Sequence, residues 1–158
     1  MKRAFDILVL GMALLLSSVS CIKDDRNNYL PLESVYLLES SLQSVLLSSG
    51  QYRVIIVKSG KGLTSCKVTL SSDEQVLEDY NAREGEALQY LPENVFTLSE
   101  SVVNFSKSDF RKVVTVSWEP AALSALLSLG EYAIPLSVTC DGAEVMSGKE
   151  AVIIKPVK

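Results

Sequence analysis

The chain has 158 residues, with 15 Lys and Arg against 19 Asp and Glu, a net charge of −4, no histidine and three cysteines. A mildly acidic balance leaves no electrostatic footprint for nucleic acid. The lack of histidine removes the commonest general base and metal ligand and the usual Ser and Cys triads, and three cysteines are too few for a zinc site or a dense disulfide framework.

In chain order, Lys2 and Arg3 give a basic start, and Ile7 to Leu16 carry no charge. That run is short of the roughly 20 apolar residues a membrane span needs, but it suits the apolar region of a secretory signal. Ser17 to Ser20 form a small-residue cleavage region ahead of Cys21. "SVSC" resembles a lipobox, although Ser18 stands where Leu or Val is commoner. A bacterial lipoprotein needs this cysteine because its thiol takes the diacylglycerol before cleavage. The bland alternative is a plain secretory signal with Cys21 as an ordinary mature residue. The reading is a lipoprotein signal peptide over 1–20, then Cys21 as lipid anchor at the head of a charged tether, 21–32. Each buried CH2 of the acyl chains contributes about 0.8 kcal/mol, so the membrane is the first expected partner. Lys23-Asp24-Asp25 resembles the short charged signal that carries lipoproteins of the Bacteroidetes to the outer face of the outer membrane. The expected location is therefore the outer membrane, lipid-anchored and facing the cell exterior. Without residues 1–20, which hold Lys2, Arg3 and Asp6, 13 basic residues stand against 18 acidic, or −5.

Residues 33–158 are the right length for a single domain with its own core. "SVYLLE" and "SVLL" are short apolar runs, and "YRVIIVKSG" is a stronger strand ended by glycine. "SCKVTLS" alternates at period two, with Cys66, Val68 and Leu70 on one side, as a half-buried strand does. The next stretch, about residues 73–84, predicts one short helix. Ser72 and Gln75 fit a capping box, Asp73 and Glu74 favour the positive end of the dipole, and Gly85 is placed to stop it. Val76, Leu77 and Tyr80 form its apolar side. "NVFTL", "SVVNFS" and "RKVVTVSW" return to strand texture, with Val114, Val116 and Trp118 on one face. "EPAALSALLSLG" reads as a helical turn or a loop. "EYAIPLSVTC" is a late strand in which Pro135 predicts an edge or a bulge. Asp141-Gly142 is a hairpin signal and "KEAVIIKP" closes the sheet. Seven or more short strands with frequent turns point to an all-β sandwich with one inserted helix.

"YNAREGEALQYLPENVFTL" resembles a motif of Bacteroidetes surface lipoproteins whose domain was long of unknown function. Its parts here are Tyr80-Asn81 at the helix end, Gly85, and the Tyr90-Leu91-Pro92 turn into a strand. "YAIPLSV", with Tyr132 and Pro135, is similar to the family's second signature, and the order of elements matches over most of residues 30–155. The resemblance implies an immunoglobulin-like domain that usually stands first in cell-surface proteins near glycan-utilisation systems. Endo-β-N-acetylglucosaminidase-type or lectin-like domains follow it in some members. No such domain follows before Lys158, so any catalytic power of the family is expected to lie outside this chain.

Tyr80 and Asn81 have the chemistry to stack on a sugar and bond its hydroxyls, yet helix spacing already explains them as packing and turn residues. Trp118 offers a large flat face for a sugar, but its register with Val114 and Val116 points inward. Tyr29, Tyr36 and Tyr52 are the freer aromatics and join Trp118 as candidate ligand contacts. Glycosidases need paired carboxylates. Asp73, Glu74, Glu78 and Asp79 fall on a solvated helix face, and nothing brings Glu119 and Asp141 together. No Asp-x-Asp-x-Asp-Gly loop for calcium occurs, so no metal, cofactor or catalytic residue is assigned. Cys66 and Cys140 would sit on the two strands that an antibody domain bridges, but their stagger favours free thiols over a disulfide. Two functions stay open. One is a non-catalytic module that captures polysaccharide; the other is a structural module whose partner is another envelope protein.

Overall fold

A computed structural model describes residues 33–158, so Cys21, the Lys23-Asp24-Asp25 signal and Tyr29 lie outside the described residues. The strands are β1 (Ser34–Leu37), β2 (Ser41–Leu46), β3 (Gln51–Ser59), β4 (Cys66–Ser72), β5 (Gln89–Tyr90), β6 (Phe96–Leu98) and β7 (Val102–Phe105). β8 (Arg111–Trp118), β9 (Tyr132–Asp141), β10 (Glu144–Val145) and β11 (Ala151–Val157) complete them. One sheet has the order β10-β1-β3-β8-β6 and the other β2-β11-β9-β4-β7, with β5 added beside β9. The period-two residues face inward as expected: Cys66, Val68 and Leu70 from β4, Val114, Val116 and Trp118 from β8, and Ile134, Leu136 and Val138 from β9 are all buried. They close one core between the sheets, and the immunoglobulin-like sandwich is the fold. Among the described residues two α-helices accompany it: α1 (Glu74–Glu84), the predicted one, and α2 (Pro120–Leu126), in the stretch that reads as a helical turn or a loop. Proline at the first turn of α2 sets its backbone and lacks only an N–H that would have had no helical partner.

α1 lies on the outer side of the second sheet, where Leu77, Leu88, Ala133 and Ile153 form a smaller core with Val76, Tyr80 and Tyr90 against it. The expected capping box does not form. Asp73 is the N-cap without a side-chain cap bond, its carboxylate instead accepting from the Ser137 hydroxyl at 3.0 Å. Ser72 meets the Tyr90 hydroxyl at 2.9 Å, and Gln75 donates to Asp79. A cap is worth about 1 kcal/mol, whereas burying Leu77 contributes about 1.5–3 kcal/mol. Packing wins. Gly85 ends the helix as predicted, at φ 71 with its N–H on the Asn81 carbonyl at 2.9 Å. The Asn81 side chain then holds the exit like a paired strand, donating to the Leu88 carbonyl (2.8 Å) and accepting from the Leu88 N–H (3.1 Å).

Pro135 is in neither an edge strand nor a bulge: β9 is central. The β4 ladder ends at Ser72 opposite Leu136, and β5 takes over at Tyr132 and Ala133. The Pro135 carbonyl accepts from Asp73 N–H at 3.2 Å, so its nitrogen points to the same side, into the junction where β9 changes partners. The missing donor falls where no ladder bond is required. The Asp141-Gly142 turn does reverse the chain, but it first sends β10 to pair β1 in the other sheet before β11 returns.

Cys66 and Cys140 are not on strands that face each other across the sandwich. They lie on neighbouring antiparallel strands, with Cys140 opposite Val68 and Cys66 two residues along on the same inner face. Both are free thiols, Cys66 buried and Cys140 half-buried. Burial, reinforced by a hydrogen bond with Cys140, pushes the Cys66 thiol up to about 11. Near neutral pH Cys66 therefore stays in the thiol form, and the thiolate is the reactive one. A thiol reagent is expected to leave Cys66 unmodified in native protein spanning 22–158, and to count two thiols after unfolding in denaturant. A count of zero in denaturant without reductant would mean a disulfide and refute the free-thiol reading.

Candidate functional site

Spacing on α1 decides what faces the edge of the second sheet. Val76, Asp79, Tyr80 and Arg83 stand three and four residues apart and share one side of the helix. Across from them run Ser41 at the start of β2 and Gly148, Glu150, Ala151 and Ile153 leading into β11. Between the two walls lies an open groove of about 200 Å3. Val76, Ala151 and Ile153 supply apolar surface, and the half-buried Tyr80 ring adds an aromatic wall. Asp79, Glu150 and the Ser41 hydroxyl are the polar groups. Gln75 orients Asp79 from one turn earlier, at 2.9 Å. Arg83 is already engaged: its Nε bonds Glu84 at 2.8 Å, and its guanidinium sits 5.7 Å from the centre of the Tyr80 ring. Ser41 is the one non-glycine residue at positive φ (69) among the described residues. Strained backbone of that kind concentrates at binding and switch sites.

The predicted aromatics do not form a row. Trp118 is 6% exposed, and its indole N–H donates to the Leu47 carbonyl at 3.0 Å, so it is core and offers no sugar platform. Tyr52 faces the core side of its sheet, packed at the margin, with its hydroxyl donating to Glu39. Burial, then that hydrogen bond, pushes its phenol well above the usual range. Tyr36 points the other way, onto the outer face of the first sheet, with the Lys149 ammonium 5.1 Å from its ring centre. Of the family motif, Asn81, Gly85, Tyr90, Leu91 and Pro92 build the path from α1 to β6. Leu91 is fully buried and its N–H bonds the Ala133 carbonyl at 2.9 Å. Tyr132 packs on the main core. Of the family-motif residues, Tyr80 both packs on the sheet and lines the groove beside α1, while Tyr52 lines a separate shallow cavity with Glu39 and Ser49.

Sequence reading missed Lys58, the one buried charged side chain among the described residues at 1% exposed. Its ammonium donates to the carbonyls of Thr64 and Ser106, both at 2.8 Å, and of Lys107 at 3.2 Å. Phe110 closes over it, the ring centre 5.8 Å away. Glu33 clasps the same loop from outside, accepting from the Leu63 and Thr64 N–H groups and the Thr64 hydroxyl. The Thr64 hydroxyl bond is the chief cause holding the Glu33 carboxyl below its usual range. The signal available was a lysine at an inward position of a strand, Val54-Ile56-Lys58. It reads as a strand end unless the loops are known.

The site is thus an open, partly aromatic groove between a helix and the edge of one sheet of the sandwich. A family model described only as a "-like, N-terminal domain" matches residues 26–145, and the chain belongs to that family. No curated protein matches the sequence. Among solved structures, a putative carbohydrate-binding protein from Bacteroides ovatus is similar at 21% identity with a TM-score of 0.64, over 79% of this chain and 38% of that one. A B. ovatus protein of unknown function is similar at 13% identity and a TM-score of 0.61, over 85% and 46%. EndoBT-3987 from Bacteroides thetaiotamicron, solved with a Man5GlcNAc product, is similar at 15% identity and 0.53, over 77% and 30%. The likenesses are of fold, and this chain spans less than half the length of each of the three. The resemblance to Bacteroidetes N-terminal domains is thus borne out.

Proposed function

We propose that the chain is a surface-exposed outer-membrane lipoprotein whose sandwich is a non-catalytic module for glycan capture. The observation that carries the binding half is the groove beside α1. There an aromatic ring and carboxylates from two separate elements converge over apolar surface, the mixture a sugar ring needs. Catalysis is not part of the reading. Kinship in fold with a putative carbohydrate-binding protein supports the choice of ligand.

Among the described residues, both buried clusters are built from residues that protein spanning 22–158 retains. In affinity electrophoresis through gels containing host and plant polysaccharides, it is expected to be retarded by at least one of them. Tyr80→Ala should weaken that retardation by about tenfold, in line with roughly 1–1.5 kcal/mol for an aromatic contact. Tyr36→Ala in the same gels asks whether the opposite face contributes. Uniform mobility across the panel would refute glycan capture for those polymers.

For the anchor, Cys21→Ser is expected to move the full-length protein from the detergent to the aqueous phase on Triton X-114 partition. Replacing Lys23, Asp24 and Asp25 by alanine should keep the lipid but abolish digestion by protease added to whole cells. Unchanged partition of Cys21→Ser would sink the lipoprotein reading.

A protein partner is the second reading, and one feature favours it. Tyr36, Leu38, Ile55, Val57 and Val113 form an apolar band on the outer face of the first sheet, with Leu38 46% exposed. Crosslinking on intact cells would reveal such a partner.

A further inference from the structure

We infer that the groove between α1 and β11 takes a single uncharged pyranose and rejects acidic sugars such as uronates, sulfated residues and sialic acid. The inference rests on the glycan-capture reading and adds its ligand class. Size comes first. A cavity of about 200 Å3 lies below the roughly 300 Å3 at which sites for drug-sized ligands begin. One sugar ring fits; a disaccharide would extend into solvent.

Charge decides the rest. The groove presents two carboxylates, Asp79 and Glu150, against one guanidinium, Arg83. Arg83 is bonded to Glu84 at 2.8 Å and leans on the Tyr80 ring, so its charge is locally matched. A ligand carboxylate or sulfate entering here meets a carboxylate on each wall, and the one cation lining the groove, Arg83, is shared with Glu84, so like charge outweighs it, and juxtaposed like charges suppress wrong partners. An ionised carboxylate only accepts hydrogen bonds. Asp79 on the helix wall and Glu150 on the strand wall therefore select hydroxyl donors, which a neutral pyranose carries around its rim. Its C–H face would lie on Tyr80 and on the half-buried apolar surface of Val76 and Ala151. Gln75 fixes one of these acceptors in place, at 2.9 Å from Asp79.

The test compares one backbone in two charge states: polygalacturonate, and the same polymer after its carboxyls are reduced to the neutral galactan. Protein spanning 22–158 is run through gels of each, beside a neutral mannan and chondroitin sulfate. Expected is retardation by at least one neutral polymer, with affinity for polygalacturonate and chondroitin sulfate at least tenfold weaker. The double variant Asp79→Lys/Glu150→Lys alters only exposed side chains. It should lose neutral binding at least tenfold and gain retardation on the acidic polymers that fades in 0.5 M salt. Equal or stronger wild-type binding to the acidic polymers would overturn the inference while leaving glycan capture standing. So would neutral binding that survives in the double variant. Failure to bind any of the four would overturn both.

Discussion

Lys58→Met is expected to lower the unfolding free energy by about 3 kcal/mol, read as an earlier midpoint in urea with an unchanged slope. A buried ion pair can often be replaced by apolar side chains at no cost, because both partners are exchanged together. That escape is closed here. The three acceptors on the Lys58 ammonium are backbone carbonyls of Thr64, Ser106 and Lys107, and no substitution at position 58 removes them. Methionine refills the aliphatic stem beneath Phe110 but donates nothing. Each stranded acceptor costs about 1–3 kcal/mol, the lower end applying where loops relax or water enters. Lys58→Ala adds a cavity and should be worse, by about another 1 kcal/mol. The exposed neighbour Lys61, replaced by Met, should stay within about 0.5 kcal/mol of wild type. If Lys58→Met also stayed within 1 kcal/mol, the carbonyl cage would not be what joins the β3–β4 and β7–β8 loops.

The same lysine marks the boundary of what was legible. Alternation is a local signal, and it placed the main strands, the helix near 73–84 and the inward faces of β4, β8 and β9, because one buried face imposes period two on a strand. What failed depended on partners distant in sequence. Ser72 looked like a cap until Tyr90 and the Pro135 carbonyl drew its hydroxyl away. Pro135 looked like an edge residue because nothing local says that β4 stops and β5 begins beside it. Cys66 and Cys140 were assigned to facing strands, since a count of strands does not reveal which two become neighbours. The groove was the least legible. Its two walls, 76–83 and 148–153, are brought together only when α1 folds back over β9 and β11, and no spacing rule joins them. Tyr80 was visible as a candidate, but helix packing explained it equally well until the second wall was known.

Trp118→Ala is expected to have the largest effect on stability, about 3–5 kcal/mol for the lost ring and the cavity left behind, and no effect on glycan binding by the folded fraction. Trp118 ends β8 opposite Phe96 of β6, and its own N–H bonds the Gly50 carbonyl at 2.9 Å. From there the indole reaches back to the Leu47 carbonyl at 3.0 Å, fixing the turn between β2 and β3 to the core. Leu47 and Leu123 of α2 belong to the same buried cluster, so one side chain ties the turn, the strand end and the second helix. Truncation leaves the Leu47 carbonyl without its donor as well as opening a void, and the two costs add in the same direction. Trp118→Phe separates them. It restores most of the volume but not the N–H, and should cost about 1–2 kcal/mol. A platform residue would behave the other way round. It would lose retardation on replacement by alanine while the urea midpoint held, and that pattern at position 118 would return Trp118 to the binding site. The expected pattern, instability with binding intact, would remove Trp118 from the proposed site and keep Tyr80 as the aromatic of the proposed groove.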